Sequence, residues 1–210
     1  MKPIGILGGS FDPVHNGHLH LARTLRQRAD LAEVRFIPSY QPPHREPPLA
    51  TPSQRLEMLE LALRGEPGLI VDQRELRRNG ISYTVETLES LRAELHDQPL
   101  CLILGMDAFR GLPQWHEWRR IPELAHLLVA HRPGASRQLP DELAELMRAH
   151  QAADPALLAR SPKGGIYLCD IEALDISSSL IRHRARAGES LDALLPTTVA
   201  EYIHHHRLYQ

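Results

Sequence analysis

The sequence predicts an α/β fold built on a mostly parallel sheet. Short, mainly apolar runs recur along the chain, each closed by a glycine, a proline or a polar residue, which is typical of strands buried on both faces. Between these runs lie segments whose apolar residues repeat at helical spacing. Strands that alternate with amphipathic helices build a parallel sheet, because each helix carries the chain back to the start of the next strand.

Six apolar runs are predicted as strands. They lie at residues 3–7, 34–38, 69–72, 100–105, 126–132 and 165–170. The run LCLILG at 100–105 is the clearest buried strand in the chain. Their spacing predicts a Rossmann-like, doubly wound sheet with helices on both faces, formed by residues 1–210 as a single domain.

The helices between these runs have recognisable beginnings. A first helix is predicted to start at about Asn16, and a second at Thr51, where Pro52 and Gln54 complete a capping box. Residues 84–95 form an amphipathic helix, and Pro196 opens the last helix within a C-terminal helical part, 177–210. Residues 135–164 are polar and alanine-rich with one plausible helix, so we interpret them as a variable excursion from the sheet.

Composition excludes several classes of function. A formal net charge of −2 argues against a general nucleic-acid-binding protein, whose surface should be net basic. No apolar run is long enough for a signal peptide or a membrane span. The two cysteines, Cys101 and Cys169, lie inside apolar runs and suggest no disulfide framework, so we expect a cytoplasmic protein. We expect a monomer or a small homo-oligomer.

The stretch GGSFDPVHNGH, residues 8–18, has the features of a phosphate-binding loop. Adjacent glycines let the main chain approach an anion, and the amides at the start of the following helix favour negative charge. His15 and His18 can both point to the same place, where they would donate hydrogen bonds to phosphate oxygens. Two surface histidines or a metal-binding pair are the alternatives, although further ligands at metal-site spacing are missing. The spacing matches neither the dinucleotide-binding fingerprint nor the P-loop.

A second candidate stretch is ISSSLIR, residues 176–182. Ser177 is a natural helix N-cap, so Ser178, Ser179 and the first-turn amides can bind phosphate while Arg182 adds a fixed positive charge. An ordinary capped helix is the alternative interpretation.

Together the two stretches resemble the nucleotidyltransferase α/β-phosphodiesterase superfamily. Its first motif, G-x-F-x-x-x-H-x-G-H, corresponds here to Gly9, Phe11, His15, Gly17 and His18, and ISSSLIR is similar to its second. Four further stretches, at 38–45, 81–88, 104–118 and 131–134, resemble the bacterial nicotinate-nucleotide adenylyltransferase family. That family usually has lysine where this chain has Arg45.

The resemblance implies two groups of site residues and no metal ligands on the protein. For ATP they are Gly9, Ser10, Phe11, His15, His18, Gly105, Asp107, Ile176, Ser178, Ser179 and Arg182. For the nicotinate nucleotide they are His44, Arg45, Thr84, Trp115, His116 and Arg132.

The residue types suit these implied roles, and each has a simpler alternative. Trp115 follows Pro113 beyond a strand, where an indole can stack on an aromatic ring, whereas Trp118 is interpreted as a core residue. Asp107 at a strand end can accept hydrogen bonds from ribose hydroxyls, although a carboxylate at a helix start would look the same. Arg132, like His44 and Arg45, can equally be a solvated loop cation.

The implied reaction is transfer of AMP from ATP to nicotinic acid mononucleotide by direct in-line attack, with no covalent enzyme intermediate. His18 would steady the α-phosphoryl group, His15 would bind the phosphates, and Mg²⁺ would arrive with ATP. The same chemistry on nicotinamide mononucleotide or phosphopantetheine, or a non-catalytic nucleotide sensor, are the alternative functions.

Overall fold

The protein is described here by a computed structural model that covers residues 1–43, 46–134, 136, 138–172 and 174–210. The strands are β1 (Ile4–Gly9), β2 (Glu33–Pro38), β3 (Leu69–Val71), β4 (Leu100–Gly105), β5 (His126–His131) and β6 (Ile166–Asp170). The helices are α1 (Asn16–Arg28), α2 (Pro52–Leu63), α3 (Arg74–Arg78), α4 (Thr84–Leu95), α5 (Met106–Arg110), α6 (Asp141–His150), α7 (Ser178–Arg186) and α8 (Thr197–His205). Short 3₁₀ helices occupy Leu112–Gln114, Trp118–Glu123 and Pro155–Ala159.

The strands form one six-stranded sheet in the order β3-β2-β1-β4-β5-β6. β1 pairs with β4, β4 with β5 and β5 with β6, each in parallel. This is the strand order of doubly wound nucleotide-binding sheets, in which the chain reverses direction across the sheet after β3. The predicted α/β class with a parallel sheet is confirmed.

The central strands are buried because they have neighbours on both edges and elements packed on their faces. All six residues of β5 are buried, as are the first five of β4. In the register of the two strands, Ile103 lies beside Leu128. Both cysteines are free and buried, as expected from their apolar surroundings.

Most predicted elements are confirmed, with small differences at their ends. β1 continues to Gly9, two residues beyond the predicted end, and the carbonyl of Gly9 accepts a hydrogen bond from the Ser39 amide at 2.9 Å. The capping box at Thr51 and Gln54 is present with Pro52 in the first turn of α2. Two helices were not predicted, α3 and α5, because five residues are too few to show a helical period.

The described residues divide into two compact units, each assembled from several chain segments. Unit 1 comprises residues 1–7, 23–35 and the described part of 83–172, and unit 2 comprises 8–22, the described part of 36–82, and 174–210. Unit 1 contains β4, β5 and β6 together with α6, the one helix predicted for the excursion at 135–164. Unit 2 contains α2 packed against α8 and β3. The domain assignment made from the sequence stays a prediction.

Candidate functional site

The two histidines of the first motif lie in unit 2, and they stack on one another. Their ring centroids are 3.7 Å apart with the planes 24° from parallel. Nδ1 of His15 accepts a hydrogen bond from the His18 amide, and Nδ1 of His18 accepts one from the His15 amide, both at 3.3 Å. A neutral imidazole whose Nδ1 accepts must carry its proton on Nε2. The loop therefore selects one tautomer for both rings, with Nε2–H as the remaining donor.

Both histidines are neutral at pH 7. Burial lowers the pKa of His15 from 6.5 to about 4, opposed by the main-chain hydrogen bond. Burial also lowers the pKa of His18 well below 6.5, and the neighbouring His15 lowers it further. Removing an imidazolium from water disfavours the charged form, and a second charge beside it adds to that cost. Anionic phosphates would act in the opposite direction and raise both pKa values.

Gly17 and Phe11 constrain the positions of the two histidine rings. A Cβ at Gly17 would lie 2.9 Å from Nδ1 of His15, so no side chain fits between the two histidines without displacing a ring. Phe11 is only 2% exposed and meets the His18 ring edge-on at 5.1 Å. The Phe11 side chain thus supports the His18 ring, and any contact with ATP is left to the Phe11 main chain.

The carbonyl of Ser10 is anchored by Arg55, a residue for which the sequence analysis predicted no role. Arg55 is fully buried on α2. Its Nη1 donates to the Ser10 carbonyl at 2.7 Å, and its Nη2 donates to the Tyr40 carbonyl at 3.2 Å. A buried guanidinium needs such acceptors, and here they belong to the main chain of the predicted phosphate-binding loop and of the segment after β2.

The second motif also lies in unit 2 and bonds directly to the first. Ser177 caps α7 by accepting a hydrogen bond from the Leu180 amide at 3.2 Å, as predicted. Ser178 Oγ donates to the Pro13 carbonyl at 3.0 Å. Arg182 Nη1 donates to the Asp12 carbonyl at 2.8 Å, and its Nη2 donates to Ser179 Oγ at 3.2 Å. The Ile176 carbonyl lies 3.6 Å from the Cβ position of Gly17. The unit therefore brings the predicted phosphate-binding residues of both motifs together.

These contacts change the expected part played by Ser178. Its hydroxyl hydrogen is engaged by Pro13, so the hydroxyl does not point a free donor at a phosphate. The Ser178 and Ser179 amides in the first turn of α7 are the better anion donors at this position, because the first amides of a helix have no acceptor within it and the Leu180 amide is used by the Ser177 cap.

The residues predicted at the end of β4 lie in unit 1. Gly105 is the N-cap residue of α5, and Asp107 is in the first turn of that helix with a fully exposed side chain. Asp107 Oδ1 accepts a hydrogen bond from Arg110 at 3.0 Å. Asp107 is therefore a carboxylate at a helix start, two residues after the end of β4, and its role toward a ribose stays a prediction. Arg132 is exposed and directly follows β5.

Unit 1 also contains the residues predicted to bind the nicotinate ring. Trp115 is half-buried between two 3₁₀ helices, whereas Trp118 is 8% exposed and belongs to the core, as predicted. The His116 ring lies on the Tyr83 ring with centroids 4.3 Å apart. Tyr83 is the N-cap residue of α4, so this contact places the His116 loop beside Thr84 in the first turn. His44 and Arg45 lie outside the described residues.

Among the described residues, no group of three or more His, Cys, Asp and Glu side chains is arranged to bind a metal ion. No helix in the same residues has the length and apolar character that crossing a bilayer requires.

Comparison with known proteins agrees with this arrangement. The cytidylyltransferase-like family model matches residues 6–184. The chain belongs to the cytidylyltransferase-like family. A protein of Methylococcus capsulatus named "probable nicotinate-nucleotide adenylyltransferase" is 49% identical over 98% of this chain and 99% of its own length. A protein of the same name from Aeromonas salmonicida is 45% identical over 99% of this chain and 97% of its own length.

Two solved structures have a similar fold. The nicotinic acid mononucleotide adenylyltransferase of Plasmodium falciparum, complexed with NaAD, is similar with a TM-score of 0.74. It is 17% identical, and the match covers 100% of this chain and 98% of that one. A structure described as a putative nicotinate-nucleotide adenylyltransferase from Vibrio parahaemolyticus has a TM-score of 0.67 with coverage of 100% and 96%.

Three residues that build the site were missed by the sequence analysis: Asp12, Arg55 and Tyr83. Asp12 lies within the first motif, but nothing in the sequence around it assigned a role to its side chain. In the sequence, Arg55 resembles any exposed polar residue on an amphipathic helix. Its full burial could not be predicted, because it depends on which distant segments pack over it. The aromatic Tyr83 in ISYT was the only one of the three with a local signal, since it lies next to Thr84.

Proposed function

We propose that the chain transfers the adenylyl group of ATP to nicotinic acid mononucleotide, with nicotinic acid adenine dinucleotide and pyrophosphate as products. An oxygen of the mononucleotide phosphate attacks the α-phosphorus of ATP, and the bond from that phosphorus to the bridging oxygen breaks as pyrophosphate leaves. The observation that carries the proposal is that the loop leading to the stacked His15–His18 pair bonds directly to α7: Ser178 donates to the Pro13 carbonyl and Arg182 to the Asp12 carbonyl. The relatives of 45% and 49% identity, both matched almost end to end, support the choice of reaction.

Catalysis in this proposal comes from positioned donors and requires no nucleophilic side chain. Nε2–H of His18 donates to an oxygen of the α-phosphoryl group as negative charge builds there, and Nε2–H of His15 binds the phosphates. The α7 amides and Arg182 hold the β- and γ-phosphates, which stabilises the departing pyrophosphate. Gly9 and Ser10 contribute main-chain amides, and Gly105 with Asp107 holds the ribose.

Recognition of the second substrate is assigned to unit 1. Trp115 packs on the pyridine ring, and the main-chain amides near Thr84 and His116 bind the ring carboxylate. Amide donors match a carboxylate but repel the NH₂ end of a carboxamide, so the acid is preferred over the amide. Arg132 is assigned to the phosphate of the mononucleotide, together with His44 and Arg45 on sequence grounds.

Mg²⁺ enters as part of the substrate MgATP. The described residues provide no cluster of carboxylates for a resident ion, and Mg²⁺ in such reactions is commonly held by substrate phosphates and water. The two free, buried thiols suit the reducing cytoplasm that we propose for the enzyme.

The test is pyrophosphate release from MgATP with three acceptors in parallel: nicotinic acid mononucleotide, nicotinamide mononucleotide and phosphopantetheine. We expect release with the first acceptor at a kcat/KM at least about tenfold above the other two. Preference for another acceptor would retain adenylyl transfer but refute the assignment of the carboxylate pocket. No release with any acceptor, together with measurable ATP binding, would favour a nucleotide sensor.

A further inference from the structure

Asp12 connects four segments of unit 2: its own loop, residues 49–50, α7 and the tail after α8. Its side chain is buried, with 5% exposure of the residue. Oδ2 accepts a hydrogen bond from the Leu49 amide at 2.8 Å, and Oδ1 accepts one from the Ala50 amide at 3.1 Å. The fourth segment is the C-terminal tail, whose Tyr209 hydroxyl donates to Oδ1 at 2.7 Å.

The tail is folded back to make this contact. Here the Leu208 amide donates to the Ile203 carbonyl at 3.0 Å, and both Arg207 and Tyr209 adopt left-handed backbone conformations, at φ of 51° and 66°. Such conformations cost energy for residues other than glycine and persist only when the surroundings enforce them. Tyr209 is 7% exposed, so burial of its ring holds the tail in place.

The carboxylate of Asp12 lies close to Arg182 without a hydrogen bond to it. Arg182 Nη1 is 3.9 Å from Oδ2, whereas it donates to the Asp12 main-chain carbonyl at 2.8 Å. The two amides and the Tyr209 hydroxyl already satisfy the carboxylate, which weakens its attraction for the guanidinium. Arg182 is half-buried, and its charge is therefore available for an anion.

We propose that Tyr209 is a positioning residue for nucleotide binding: by donating to Asp12, it prevents Asp12 from capturing Arg182 and so keeps the guanidinium available to the ATP phosphates. The inference rests on the proposed function for its substrate, ATP. Without the tyrosine hydroxyl, the Asp12 carboxylate loses its shortest hydrogen bond. Its less satisfied negative charge then attracts Arg182 more strongly, and Arg182 Nη1 already lies 3.9 Å from Oδ2. The phosphate-binding charge would then be neutralised inside the protein.

The experiment compares two single-hydroxyl deletions in the full chain. Tyr209→Phe removes the donor to Asp12. Tyr202→Phe is the matched control, because the Tyr202 hydroxyl also donates to a carboxylate, Glu57 Oε2 at 2.9 Å, from the same terminal segment. For each variant, KM values for MgATP and for nicotinic acid mononucleotide are measured, together with the Kd of MgATP alone by calorimetry and the thermal unfolding midpoint.

We expect Tyr209→Phe to raise KM and Kd for MgATP about tenfold, the size of one charge-assisted hydrogen bond, with KM for the mononucleotide unchanged. Tyr202→Phe should leave all three constants at the wild-type values. Equal MgATP affinities in the two variants would overturn the proposal, and so would a parallel loss of affinity for both substrates. The calorimetric Kd needs no turnover, so a wild-type protein that binds MgATP without releasing pyrophosphate would refute the proposed function and still test the role of Tyr209.

Discussion

His15 and His18 each accept a hydrogen bond from the other's main-chain amide while their rings stack 3.7 Å apart. The arrangement makes each histidine set the tautomer of its neighbour. It also explains why the motif has two residues between the histidines and a glycine as one of them: a helix start brings the rings together, and Gly17 leaves room for the His15 ring.

His18→Ala removes the Nε2–H donor that we assign to the α-phosphoryl oxygens. We expect kcat for pyrophosphate release to fall by about 10²-fold or more, as for the loss of one donor from an oxyanion hole. The unfolding midpoint should change little, since the His18 ring packs only on His15 and on the edge of Phe11 among the described aromatic rings. His204→Ala, an exposed histidine on α8, is the control. Equal kcat values in wild type and His18→Ala would refute this role.

Acid should destabilise the protein through His15. Its pKa is about 4 in the folded chain, against an ordinary value of 6.5 in the unfolded chain. Between those values the unfolded chain binds more protons, so the free energy of unfolding falls as pH falls through this window. The His15 contribution amounts to a loss of about 3 kcal/mol at pH 4 relative to pH 7.5.

Urea unfolding of wild type and His15→Gln at pH 7.5, 5.5 and 4 measures this contribution. Carboxylates titrate in both proteins, so the difference between them isolates the histidine. We expect the variant to lose less stability on acidification than wild type. Parallel stability curves would show that His15 is protonated as readily in the folded chain as in the unfolded one.

Gly17→Ala tests the close packing of the histidine pair. The added Cβ lies 2.9 Å from His15 Nδ1, so the ring must move and the reciprocal hydrogen bonds must weaken. We expect kcat to fall by about tenfold or more, because misplacing a catalytic donor by a fraction of an ångström is costly. Gly111→Ala is the matched control, since its Cβ would meet only ordinary contacts at 3.6 Å and 3.7 Å. Wild-type activity in Gly17→Ala would contradict the tight packing.

Substitution of the two tryptophans should affect two different properties: substrate binding for Trp115 and the free energy of unfolding for Trp118. Trp115→Ala removes the ring assigned to the pyridine, and we expect KM for nicotinic acid mononucleotide to rise about tenfold with little change in the unfolding midpoint. Trp118→Ala empties a core position and should cost about 3–5 kcal/mol of unfolding free energy. Kinetics and urea unfolding of both variants check this contrast. An unchanged KM in Trp115→Ala would remove that residue from the pocket.

Arg55→Leu should destabilise unit 2 although it replaces a charge by an apolar side chain. The part-buried carbonyls of Ser10 and Tyr40 would lose their donors, at a cost of about 2–3 kcal/mol. Arg64→Leu changes an exposed arginine just after the same helix and should change the unfolding free energy by less than about 0.5 kcal/mol. Equal unfolding free energies for the two variants would show that Arg55 does not hold the loop.

Much of the fold and part of the site followed from local patterns. The strand at 100–105, the capping box at Thr51 and the cap at Ser177 were predicted because their signals are apolar runs and helix-start residues that are adjacent in the chain. The chemistry of the first motif could also be read locally, since glycines, a helix start and two histidines occur within eleven residues. Short elements such as α5 escaped prediction because they contain barely one turn.

The sequence by itself determined the α/β class and the helix starts, and it predicted the phosphate-binding residues, because each of these depends on neighbours within about one helical turn or one strand. Only the tertiary structure decided that Arg55 is buried under Ser10, that Ser178 bonds to Pro13 and that Tyr209 reaches Asp12. These contacts join residues that are 45, 165 and 197 positions apart. A buried polar group must find a partner wherever the fold supplies one, and no local pattern specifies which distant residue that partner will be.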